Sequence, residues 1–106
     1  MNDKKFLQQL RQLIALPSVS CTDVYLDQGN LAVIELLANW LGDMGFSCEI
    51  MPVSPNKANL IATLGQGSGG LVLAGHTDTV PCDAQLWTSD PFTVSERNGK
   101  LYGLGI

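Results

Sequence analysis

The sequence predicts an α/β fold, incomplete at 106 residues, with two helices followed by a mixed β-sheet. Three observations carry this prediction. Apolar residues recur at three- and four-residue spacing in two stretches of the first 44 positions, the helical period. The period drops to two at Phe46, and a near-continuous apolar run, Leu71-Val72-Leu73-Ala74, follows further on. Helices that open a chain and then give way to apolar strands need a sheet to cover.

In the first helix, Phe6, Leu7, Leu10, Leu13 and Ile14 form one apolar stripe. Asp3 is its expected N-cap, and Pro17 stops it because the residue before a proline is driven out of the helical region. Residues 17–27 read as a loop. The second helix is expected from about Gly29 to Met44. Its face of Leu31, Ile34, Leu37, Trp40 and Leu41 is widened by Val33 and Leu36, which suits packing against a sheet. Gly45 stands where a left-handed residue would close it.

Phe46, Cys48 and Ile50 alternate with Ser47 and Glu49 as in a half-buried strand. Residues 52–58 read as a Pro/Asn/Lys loop, residues 60–64 as a strand and residues 65–70 as a turn. The run 71–74 is expected to be a strand buried on both faces. A long loop, 75–91, precedes a hairpin of 92–96 and 100–102 turned at Asn98-Gly99.

Composition narrows the function classes. The chain is 45% hydrophobic and 15% charged, which fits one small globular domain or part of one and argues against disorder. Six Lys+Arg against ten Asp+Glu give a net charge of −4, which disfavours nucleic-acid binding by phosphate neutralisation. No apolar stretch is long enough to span a membrane, and the N-terminus lacks a signal peptide's apolar centre. Cys21, Cys48 and Cys82 are odd in number and widely spaced, so reduced thiols and a cytoplasmic location are expected.

The sharpest motif is Gly75-His76-Thr77-Asp78-Thr79-Val80-Pro81, which contains the sequence's one histidine. In an extended chain, residues two apart point the same way about 6.6 Å apart, so His76 and Asp78 share a side. A neutral imidazole is a good ligand for zinc or cobalt, and a carboxylate on its other nitrogen fixes the tautomer. A plain hydrogen-bonded pair that supports a loop is the alternative. The segment Gly65-Gln66-Gly67-Ser68-Gly69-Gly70 has dinucleotide-motif spacing, but an apolar run follows it where that motif needs a helix. Cys82 is a conceivable nucleophile, though free cysteine is more often a small buried apolar residue. Trp87 with Phe92 reads as a plug that pins the long loop.

Gly75 to Pro81, then Trp87 with Asp90-Pro91-Phe92, then Asn98-Gly99-Lys100-Leu101-Tyr102-Gly103-Leu104-Gly105 resemble the dinuclear zinc amidohydrolase and peptidase family. The resemblance implies that residues 1–106 are the N-terminal portion of a metal-dependent hydrolase's catalytic domain. It implies that His76 is a metal ligand and that Asp78 is the catalytic carboxylate that orients it. It also implies two zinc (or cobalt) ions in the complete site, a small N-acyl amino acid as substrate and a homodimer for a full-length form. The activity it points to is removal of the acetyl group from N-acetyl-ornithine in arginine biosynthesis. A desuccinylase, aminoacylase or carboxypeptidase reaction of the same family is the alternative, as is a non-enzymatic vestigial module. The family's metal-bridging aspartate follows the Tyr-Gly-x-Gly segment, whereas this sequence stops at Ile106, so the chain alone is expected to be inactive.

Overall fold

The structure, a computed structural model, describes residues 3–106. It contains two helices and two small antiparallel sheets, a mixed α/β arrangement. The chain forms two compact units, Met1–Gln28 with Thr79–Ile106, and Gly29–Asp78.

In the first unit, helix α1 spans Asp3–Ile14. Asp3 lies within its first turn and is not its cap; a carboxylate there meets the positive end of the helix dipole. Amides of Ala15 and Leu16 close the last turn on the Arg11 and Leu13 carbonyls, just before Pro17. The loop that follows is built by side chains. Gln28 Oε1 accepts from the Val19 amide at 2.9 Å, and Asp27 Oδ1 accepts from the Cys21 amide at 2.8 Å. Ser18 and Val19 are thereby buried.

The hairpin of this unit pairs β3 (Ser95–Arg97) with β4 (Lys100–Tyr102). Asn98 and Gly99 both have positive φ, at 53° and 73°, as the tight two-residue turn requires. The Arg97 guanidinium lies 4.4 Å over the Tyr102 ring, diagonally across the pair. The first strand is shorter than its sequence suggests. Asp90 draws the Phe92 amide to Oδ1 and the Thr93 hydroxyl to Oδ2, so residues 91–93 turn before pairing begins. Val19, Val94 and Leu104 are buried in this unit, as is Pro91.

In the second unit, helix α2 (Leu31–Asp43) packs on β1 (Ser47–Ser54) and β2 (Lys57–Thr63), burying Val33, Ile34 and Ala58. Gly45 ends the helix at φ 94°. Its amide donates to the Gly42 carbonyl and that of Phe46 to the Leu41 carbonyl, the two bonds of a left-handed helix stop. The expected loop at 52–58 is mostly strand. Pro52 pairs with Ala58, and only residues 55–56 turn. In a two-stranded ribbon each strand has a free edge, so a proline there sacrifices no ladder bond.

The largest departure is at 71–74. No strand forms there, and Leu71, Val72 and Leu73 are 84%, 88% and 87% exposed, not buried on both faces. An apolar run becomes a strand only when neighbours supply partners for its backbone, and among the described residues none pairs with it. No helix among the described residues is long and apolar enough to cross a membrane.

Candidate functional site

The segment after residue 74 alternates. His76 and Asp78 are exposed, whereas Thr77 and Thr79 are half-buried. His76 and Asp78 thus face solvent while Thr77, between them, turns inward.

His76 and Asp78 meet directly. Nδ1 of His76 lies 3.1 Å from Oδ1 of Asp78 and 3.0 Å from the Asp78 carbonyl oxygen. The two side chains are 81% and 57% exposed. A carboxylate and a carbonyl can only accept, so Nδ1 carries the proton in this arrangement. The neutral ring then keeps its lone pair on Nε2, the atom a metal or proton would take. This chemistry fits one metal donor with its supporting carboxylate. It does not close a site: among the described residues no group of three His, Cys, Asp or Glu side chains could hold an ion.

Each threonine is held by contacts within its own unit. In the second unit, Asn30 Nδ2 reaches Thr77 Oγ1 at 3.4 Å and donates to the Ala58 carbonyl at 3.0 Å, while Asn30 Oδ1 accepts from the Ala58 amide at 2.9 Å. In the first unit, the Thr79 amide donates to the Ser18 carbonyl and the Thr79 carbonyl accepts from the Ser20 amide, a parallel bridge centred on Val19. Neither Asn30 nor Ser18 stands out in the sequence. Their partners lie 47 and 61 positions away, and only the alternation of Thr77 and Thr79 hints that something holds them.

The other sequence candidates do not join the pair. Cys21, Cys48 and Cys82 are free, half-buried thiols, and Cys48 directs Sγ at the Ala38 carbonyl at 3.6 Å. The glycine-rich segment has positive φ at Gly65, Gly67, Gly69 and Gly70 and leads into irregular chain, so it presents no helix N-terminus to a pyrophosphate. Trp87 is half-buried beyond a single 3-10 turn at Ala84–Leu86, which Asp83 caps through the Gln85 amide.

Residues 72–106, which include His76 and Asp78, match peptidase family M20/M25/M40. The chain is 62% identical over 102 residues to the acetylornithine deacetylase of Proteus mirabilis, covering 94% of this chain and 26% of that protein. It is 60% identical over 102 residues to the acetylornithine deacetylase of Photorhabdus laumondii, with the same coverage. With that of Pectobacterium carotovorum the identity is 56% over 107 residues, 99% of this chain and 28% of the relative. The chain thus spans about a quarter of the length of the curated relatives it matches. Over its last third it is similar to the M20 peptidases. Over nearly its whole length it is similar to acetylornithine deacetylases.

Proposed function

We propose that His76 is a metal ligand and Asp78 its orienting carboxylate in an amide hydrolase that removes the acetyl group from N-acetyl-ornithine, a step of arginine biosynthesis. The observation that carries this reading is His76 Nδ1 set against two Asp78 acceptors, which leaves Nε2 as the donor atom. The names of the relatives, deacetylases of acetylornithine, supply the substrate class: a small amino acid with an acyl group on nitrogen. We take residues 1–106 as part of the catalytic domain, the metal as zinc or cobalt, the compartment as the cytoplasm, and a homodimer as the state of a full-length form. When bound, such an ion polarises a carbonyl and makes water acidic enough to attack it. The chain's own part is narrower. Asp78 holds the ring in one tautomer, and His76 offers Nε2. One donor cannot assemble a catalytic metal site, so the 106-residue chain alone neither binds zinc tightly nor turns over substrate.

Zinc titration followed by imidazole nitrogen NMR tests the assignment. Expected are a weak shift at His76 Nε2, its loss in His76→Ala and no release of acetate from N-acetyl-ornithine. In a longer form with a complete site, Asp78→Ala should cost about 10–100-fold in metal affinity or rate. Robust turnover by the 106-residue chain, or zinc binding undiminished in His76→Ala, would defeat the proposal.

A second reading, a non-enzymatic module that associates through its apolar surface, is favoured by the exposure of Leu71, Val72 and Leu73. Light scattering on the purified chain separates the two: a clean monomer counts against association.

A further inference from the structure

We infer that Asn30 is a positioning residue for the His76–Asp78 pair, acting through Thr77, the residue between them. The inference rests on the roles proposed for His76 and Asp78, and it begins from a broken local rule. Asn30 occupies the N-cap position of α2, where an asparagine side chain ordinarily accepts from the helix's first amides. Here it makes no such bond. Its backbone carbonyl takes the Ile34 amide, and its carboxamide is spent elsewhere.

That carboxamide imitates a strand neighbour. It both accepts from the Ala58 amide and donates to the Ala58 carbonyl, at 2.9 and 3.0 Å. Ala58 is 3% exposed, so these backbone groups need partners. The second amide hydrogen is left for Thr77 Oγ1, at 3.4 Å. Only a carboxamide offers an acceptor and two donors in one plane; aspartate, serine and alanine each lose part of the set. The anchor itself cannot drift. The Asn30 amide donates to the Asn56 carbonyl at 3.1 Å, and Gly29 packs so closely that an added Cβ would lie 2.3 Å from the same oxygen.

Because exposure alternates from His76 to Thr79, holding Thr77 inward keeps His76 and Asp78 turned outward together. A loosened Thr77 would let the two acceptors of Asp78 move away from Nδ1, and the histidine proton would redistribute between its nitrogens. Histidine tautomerism therefore reports the tether, and a purely structural role for Asn30 would not move it.

The test uses the full chain, labelled with ¹⁵N, and reads the His76 tautomer ratio together with the urea midpoint. Asn30→Ala and Thr77→Val should each lower the Nδ1–H to Nε2–H ratio by about threefold, the effect of weakening one modest hydrogen bond. The double variant should fall by less than the sum of the two single changes, since the Asn30–Thr77 contact is lost in each. Asn59→Ala, at an exposed position of β2, should leave the ratio alone. A folded Thr77→Val chain with an unchanged ratio overturns the inference, and so do fully additive effects. Should Asn30→Ala fail to fold, Thr77→Val decides the matter by itself. No metal or substrate enters this measurement. A parent chain whose Nε2 ignores zinc would therefore sink the ligand assignment and leave the tether standing.

Discussion

Replacing Gly29 with alanine sets local preference against tertiary contact. Gly29 does not have positive φ, so an alanine fits the backbone without strain. By its effect on the unfolded chain alone, the change should stabilise by about 0.4–1 kcal/mol. Packing dictates the opposite sign. The new Cβ would meet the Asn56 carbonyl oxygen at 2.3 Å and the Asn56 Cβ at 2.8 Å, where ordinary contact begins near 3.4 Å. Relief requires a backbone shift, and the displaced oxygen is the acceptor of the Asn30 amide. That shift also drags the two Asn30–Ala58 bonds out of line. Three hydrogen bonds at about 0.5–1.5 kcal/mol each, less the entropic gain of about 0.4–1 kcal/mol, leave a net loss of about 0.5–4 kcal/mol. Urea unfolding followed by far-ultraviolet circular dichroism should show a lower midpoint, by about 1 M for a loss of about 2 kcal/mol at a slope of about 2 kcal/mol/M. Native-state exchange should show the Ala58 amide losing protection alongside. A midpoint equal to or above the parent's would refute the claim that Gly29 is dictated by space.

Two further substitutions test single features. Thr79 Oγ1 is buried without a hydrogen-bond partner, so Thr79→Val should raise stability by about 1 kcal/mol in the same urea assay while the Thr79 backbone bonds persist. Val72 is 88% exposed, so Val72→Lys should move the midpoint by less than about 0.5 kcal/mol and reduce binding of an apolar dye.

Much of the fold was legible because its signals are local. The stripe from Phe6 to Ile14, the breadth of the α2 face, Gly45 as a helix stop and Asn98-Gly99 as a hairpin turn each depend on residues within one or two turns of chain. Backbone sterics and side-chain period act at that range, and they held. The alternation that puts His76 beside Asp78 is of the same kind, and the ring nitrogen does face the carboxylate.

The misread segments have a common cause. Pro52 looked like a breaker, yet it sits in β1 because a ribbon edge demands no amide from it. Leu71 to Ala74 carried the composition of a buried strand, yet burial is granted by neighbours that the run itself cannot encode.

The sequence by itself determined the helices, the turns and the shared side of His76 and Asp78, since a few adjacent torsions settle each. Only the tertiary structure decided which segments pair, which apolar residues are covered, and that Asn30 gives up its helix cap to hold Ala58 and Thr77. Those contacts join positions 28 and 47 residues apart, and a hydrogen bond depends on distance in space, which only the folded chain supplies.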